Sequence, residues 1–300
     1  MRRTLIATLA VAALVPLVLA QSTAPRAGAW EVLSSWGELP AGTTTWGGPS
    51  QASLAADGNI IVFRRSVPSF FVMTPDGKFV KSFGEMYRLA HGIRIDREGN
   101  IWITDNTDNI VQKLSSDGKV LMTLGKAGTP GNNDSQEGFD GPADVFVATN
   151  GDIFVADGYR NSRVVQFSKD GKFIRKIGGT KGTEPGQFNV PHAVVVDSKG
   201  RVIVADAENS RIQVFDNTGK FVEEWKGFAA KPRGSMLITA DDTLYVSHVD
   251  SESISIIKDG KVIDTVTGLG LRPHGLTMDR QGNLYVTGPL THQVKKIVKK

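Results

Sequence analysis

Three of the chain's five histidines stand at one position of an internal repeat. His91 in HGIRIDREGN, His192 in HAVVVDSKGR and His274 in HGLTMDRQGN each precede a turn glycine, Gly99, Gly200 or Gly282, by eight residues. A neutral imidazole is the commonest nitrogen ligand for a divalent ion, and three protein ligands leave a fourth position for water or substrate. The chain has no cysteine. That excludes thiolate ligands, disulfides, a cysteine nucleophile and a lipidated N-terminal cysteine. A histidine-only site for zinc or another divalent ion is the chemistry that remains. A histidine taken singly is more often a hydrogen-bonded structural residue, and it is the shared repeat position that sets these three apart. His248 and His292 lie elsewhere in the repeat and read as structural or surface residues.

The elements that must position the three are short strands. The turn residues Gly58, Gly99, Gly151, Gly200, Asp242 and Gly282 follow one another at spacings of 41, 52, 49, 42 and 40 residues. A period in this range is the mark of propellers and related arrays. Each unit reads as four strands, such as AVVVD (193–197), RVIVAD (201–206), RIQVFD (211–216) and FVEEWKG (221–227). Val, Ile, Phe, Tyr and Trp dominate these runs, and Asp-Gly and Thr-Gly pairs break them at tight hairpin turns. Periodicity leaves open a short turn of helix within 129–141. Four antiparallel strands in each of six units make an all-β, six-bladed β-propeller. In that fold the first strand of each blade lines the central channel. The residues eight before the turns are Ser50, His91, Ala143, His192, Gly234 and His274. Histidine thus alternates with a small residue, which leaves the imidazoles room to converge at threefold spacing.

The sixth unit, from His274 to the C-terminus, shows only three strands. WEVLSSWG (30–37) resembles the fourth strands KFVKSFG (78–84) and KFIRKIG (172–178), so residues 30–37 are expected to complete the last blade and close the ring. Such a clasp pairs an edge that would otherwise stand open. Upstream, Met1-Arg2-Arg3 and the apolar run Thr4 to Leu19 read as a signal peptide within 1–24. A single propeller domain over 25–300 follows, in an exported protein, periplasmic or secreted, with no membrane attachment after cleavage. Removing Arg2 and Arg3 takes the net charge from +4 to +2, with acids and bases interspersed. No nucleic-acid-binding face is visible. The protein is expected to be a monomer.

A second constellation is DGYRNSRVVQF (157–167), paralleled by DAENSRIQVF (206–215). Asp157 and Asp206 can bond backbone N–H groups, and Arg163 and Arg211 are expected to pair across blades. Tyr159 sits in the extra residue of the longer copy. A phenol at the channel mouth can act as acid or base if a cation lowers its pKa from about 10.

At this level of detail the chain resembles the NHL-repeat propellers and, among them, the peptidyl-α-hydroxyglycine α-amidating lyase family. The resemblance is carried by HGIRIDREGNIWITD (91–105), PGNNDSQEGFDGPADVFVATNGDIFVADGYRNSRVVQF (130–167), PGQFNVPHAVVVD (185–197), RPHGLTMDRQGNLYVTG (272–288) and HQVKKI (292–297), and covers roughly residues 48–300. It implies a catalytic zinc on His91, His192 and His274, with Tyr159 as general base. It also implies a first-blade arginine, which FRRS (63–66) supplies as Arg65 in preference to Arg64. The implied reaction cleaves the N–Cα bond of a peptidyl-α-hydroxyglycine to a peptide amide and glyoxylate, and the implied partner is a peptide or small molecule bearing a carboxylate. The chain departs from the pattern at Ala207, where the family carries arginine. It departs again at Arg272-Pro273-His274-Gly275, where the family carries Met-Pro-His-Asp. The acid missing at Gly275 makes a channel Ca2+ doubtful. These departures keep open a divergent substrate, or a non-catalytic propeller that binds a peptide, glycan or protein. Sugar-lactone hydrolysis on a calcium propeller is a weaker reading, because the channel acids it needs are absent at these positions.

Overall fold

Runs of β-branched and aromatic residues ended by glycine turns form short antiparallel strands. In a computed structural model, which describes residues 30–228 and 230–300, they make six four-stranded sheets. The expected signal segment, 1–24, lies outside the described residues. The innermost strands are Pro49–Leu54, Ala90–Ile95, Pro142–Val147, Pro191–Val196, Met236–Ile238 and Gly275–Met278, and the sheets of blades one to five run outward from the inner strand in chain order. Consecutive inner strands pack around the channel, and that of blade six packs on that of blade one. At the fifth turn Asp242, at φ 62°, holds the left-handed backbone that glycine holds in the other repeats.

The core lies between blades. Ala193 and Val195 of blade four meet Met236, Leu244 and Val246 of blade five, and Phe154, Ala156 and Val164 of blade three meet Val194, Val202 and Val204 of blade four. The only helix among the described residues is one 3-10 turn, Ala207–Asn209. Segment 129–141 is turn and bend without helix. No helix of the described residues is long and apolar enough to cross a membrane.

Ring closure by the N-terminal strand is present, over a shorter stretch than the 30–37 expected. Trp30–Val32 pairs with Gln293–Lys299, placing Trp30 opposite Lys299 and Val32 opposite Ile297. The chain then leaves the sheet, and Trp36 becomes part of the core. Its ring stacks on Trp46 at 5.8 Å and meets the edge of Tyr285 at 4.9 Å. Its Nε1 donates to the Pro75 carbonyl at 3.1 Å. Tyr285 belongs to blade six, and Trp46 and Pro75 flank strands of blade one, so this side chain bolts the two together.

Trp36→Ala is therefore expected to cost about 3–5 kcal/mol in denaturant unfolding, and deletion of 30–38 at least as much. A deletion variant with the parent's unfolding midpoint would show that the ring closes without this segment.

Candidate metal centre

In blades one to four a break in strand register aims the repeat position into the channel. Pairing between the first and second strands slips between Pro49 and Gln51, Ala90 and Ile93, Pro142 and Asp144, and Pro191 and Ala193. The slips bracket Ser50, His91, Ala143 and His192, and such a bulge re-aims a side chain. The imidazoles of His91, His192 and His274 meet with ring centres 4.7–5.3 Å apart. One ring nitrogen of each lies within 4.8 Å of the others.

The opposite nitrogen of each ring is tied back to the scaffold. Nδ1 of His91 lies 2.6 Å from the Ala143 carbonyl, Nδ1 of His192 3.1 Å from that of Gly234, and Nδ1 of His274 2.9 Å from that of Ser50. A carbonyl only accepts, so each Nδ1 carries the proton and each Nε2 presents a lone pair to the axis. A ligand histidine commonly donates its outer N–H to a carbonyl in this way, which fixes its tautomer. Burial holds the rings neutral, His192 down to about 3 and His274 to about 4. His91 lies well below the usual imidazole value, through burial and then its two neighbours.

Tyr159 reaches the same point from blade three. Its hydroxyl is 2.9 Å from Nε2 of His91 and 3.1 Å from Nε2 of His192. The phenol has one proton for two acceptor nitrogens, and a cation among the three Nε2 atoms would engage every lone pair. The residues present therefore fit a three-histidine divalent ion. Burial of the hydroxyl pushes its pKa up, against the nearby charges of Arg65 and Arg233.

The loop that carries Tyr159 is anchored within its own blade, which corrects the expectation that Arg163 and Arg211 pair across blades. Asp157 and Arg163 stand opposite each other in one hairpin, with Nε 2.9 Å from Oδ2. Asp206 and Arg211 repeat this at 2.8 Å. The same guanidiniums bind carbonyls of the preceding interblade loops, Asn133, Ser135 and Gly138 for Arg163 and Thr183, Glu184 and Gln187 for Arg211. As expected, Asp157 and Asp206 also accept backbone N–H groups, those of Asp140 and Asn189.

A pocket of about 210 Å³ opens beside the histidines, with His192, His274 and Tyr159 in its wall. Arg65, Arg233 and Arg272 line it together with Asp250 and the apolar Val249, Pro289 and Leu290. Arg64 turns away, with its guanidinium carbon 3.5 Å above the Phe71 ring. Arg233 was not singled out from the sequence, although a signal existed. It stands immediately before the repeat position, where four of the six repeats carry proline, Pro49, Pro142, Pro191 and Pro273. Ala207 is buried in the 3-10 turn, and the next residue, Glu208, contacts Arg233. His248 is buried and bonded to Ser255 at 2.8 Å, and Nδ1 of His292 accepts the Gly48 N–H at 3.0 Å.

One residue beyond the histidine level the alternation reverses. Gln51, Asp144 and Ser235 follow the small residues, and Gly92, Ala193 and Gly275 follow the histidines. Arg94 of blade two crosses the channel, with Nη2 2.8 Å from Asp144 Oδ2 in blade three and 2.8 Å from the Met236 carbonyl in blade five. A channel calcium does not fit this arrangement. A Cβ on Gly275 would lie 2.4 Å from Gln51 Cα, so an acid cannot stand there without backbone movement, and the positive charge in the channel is the guanidinium.

The class of protein is thus a six-bladed propeller with a histidine-lined channel. The NHL repeat model matches residues 139–167 and 188–215. NHL repeat-containing protein 3 of Homo sapiens is 35% identical over 255 residues, covering 78% of this chain and 73% of that protein. The chain belongs to the NHL-repeat propeller family. A probable peptidyl-α-hydroxyglycine α-amidating lyase of Caenorhabditis elegans is 38% identical over 148 residues, 48% of this chain; the match spans 42% of that protein. Among solved structures, a streptogramin B lyase superposes with a TM-score of 0.64 over 90% of this chain and 97% of its own, at 15% identity, a likeness of fold.

The channel pair gives a direct test. Arg94→Met strands the buried Asp144 carboxylate and is expected to cost about 3–5 kcal/mol, whereas Arg94→Met with Asp144→Leu regains most of it. Equal stability of the single variant and the parent, measured by denaturant unfolding without added calcium, would rule out the guanidinium as the channel's structural cation.

Proposed function

We propose that the protein is an exported, monomeric, zinc-dependent lyase of the amidating-lyase type, acting on the N–Cα bond of an α-hydroxyglycine unit or a close relative. The observation that carries this reading is the meeting of three Nε2 lone pairs, each set by an Nδ1–carbonyl bond, with the Tyr159 hydroxyl at hydrogen-bond distance from two of them. Support among relatives comes from the partial match to the nematode lyase.

His91, His192 and His274 would hold the ion. Bound zinc supplies Lewis acidity at the substrate α-hydroxyl and makes its proton easier to remove. Tyr159 would take that proton, a role its closeness to His91 and His192 supports. As the N–Cα bond breaks, its electron pair passes to the amide nitrogen, the α-carbon becomes the aldehyde of glyoxylate, and the proton ends on nitrogen, so no water is consumed. Burial alone works against a phenolate, so the tyrosine's role as a base depends on the cation beside it. Arg65, in the pocket wall, would take the substrate carboxylate through its guanidinium edge. The second reading, a non-catalytic propeller that binds a partner on this face, is favoured by Ala207, which brings no cation to the pocket.

Purified protein is expected to carry about one zinc per chain, lost in the His91→Ala, His192→Ala double variant. It should convert α-hydroxyhippurate to benzamide and glyoxylate, and Tyr159→Phe should lower kcat by about 10²–10⁴ while zinc is retained. Metal-free wild-type protein would overturn the lyase reading, and zinc-loaded protein inert to hydroxyglycine substrates would favour the binding propeller.

A further inference from the structure

The charges around the pocket do not cancel. Arg272 is neutralised by Asp250, with Nη2 2.8 Å from Oδ1. Glu208 serves two cations at once, Arg233 Nε at 3.1 Å and Lys231 Nζ at 2.6 Å. Arg65 donates from Nε to the Ala90 carbonyl at 3.2 Å and has no carboxylate within ion-pair distance among the described residues. Four cations therefore face two carboxylates, which leaves two positive charges over. One surplus sits with Arg65 in blade one, the other with Arg233 in front of blade five, and the two blades flank blade six and its His274. The Arg233 side chain is held at one edge by Glu208 and is 42% exposed, and among the described residues its Nη groups have no hydrogen-bond partner.

Resting on the lyase reading above, we propose that the pocket selects a ligand with two anionic groups, Arg65 holding the carboxylate next to the reacting carbon and Arg233 acting as the specificity-determining residue for the second. A carboxylate on the guanidinium fork gains charge-assisted, directional bonds, and an uncompensated cation pair in a cleft concentrates dianions over monoanions. The second anion can belong to an acidic residue preceding a C-terminal hydroxyglycine or to a free small dicarboxylate. Arg272 contributes less, because Asp250 already answers its charge.

Calorimetric titration of the zinc-loaded protein with glutarate and with butyrate tests the binding without turnover. Glutarate is expected to bind about tenfold more tightly, the worth of one charge-assisted bond. Arg233→Met should abolish that margin, Arg233→Lys should keep part of it, and Arg272→Met should leave most of it. Equal affinities in the wild type, or a preference that survives Arg233→Met in protein with a wild-type melting temperature, would overturn the proposal. In parallel, kcat/KM for acetyl-Glu-α-hydroxyglycine is compared with acetyl-Val-α-hydroxyglycine. Glutarate selection without turnover of either peptide assigns the site to free dicarboxylates and sinks only the lyase reading. Turnover of both peptides with no glutamate preference and no glutarate selection sinks only the dianion proposal.

Discussion

Three Nδ1–carbonyl hydrogen bonds are the constraint on which the channel depends. They run from blade two to three, four to five and six to one. The three remaining junctions use a different tie. Gln51 accepts the Ile93 N–H at 3.1 Å, Asp144 accepts the Val194 N–H at 3.4 Å, and the Ser235 N–H reaches the His274 carbonyl at 2.7 Å. Histidine ties thus alternate around the ring with junctions closed by a side-chain acceptor at two places and by a backbone bond at the third. Each is needed because an unpaired polar group at a buried junction is costly. A histidine at the repeat position requires a reachable carbonyl on the next blade, and Ser50, Ala143 and Gly234 present one without a bulky side chain in the way.

The same constraint produces the chemistry. An imidazole tied through Nδ1 is held in orientation, and its remaining nitrogen faces the axis, where the Tyr159 hydroxyl reaches two of the three. Three such rings leave three lone pairs facing one point in a buried, low-dielectric setting, where the neutral form is enforced and a cation is the natural complement. The Arg94 guanidinium one level away shows how the channel answers a similar need for charge with a side chain. It neutralises Asp144 there, and its remaining contact is the Met236 carbonyl of blade five.

Much of this was legible in residue spacing. The turn positions gave six blades, and the alternation of His with Ser, Ala and Gly placed the imidazoles together, because a propeller repeats its geometry faithfully. What was not legible has a physical cause in each case. The Nδ1 acceptors are backbone carbonyls, which carry no residue identity, so the tautomer was invisible. Arg163 and Arg211 are expected from the sequence to pair across blades, yet each meets the aspartate opposite it in its own hairpin, a register that residue types alone do not reveal. The closing strand is shorter than its likeness to other fourth strands suggested, because Trp36 is drawn into the interface between blades six and one. Arg233 was overlooked because it departs from a proline position and from no charged motif.

Arg233 also reframes the change at Ala207. Loss of a family arginine from the blade-four loop first reads as loss of the substrate clamp. The loop instead contributes Glu208, the neighbour of Ala207, and that carboxylate holds a guanidinium arriving from the next blade. A cation therefore stands at the pocket, brought by the chain that leads into blade five. An acid that orients one arginine and shares its charge with Lys231 leaves the guanidinium fork positioned and only partly neutralised. A cation oriented in this way suits a ligand whose second charge lies toward blade five.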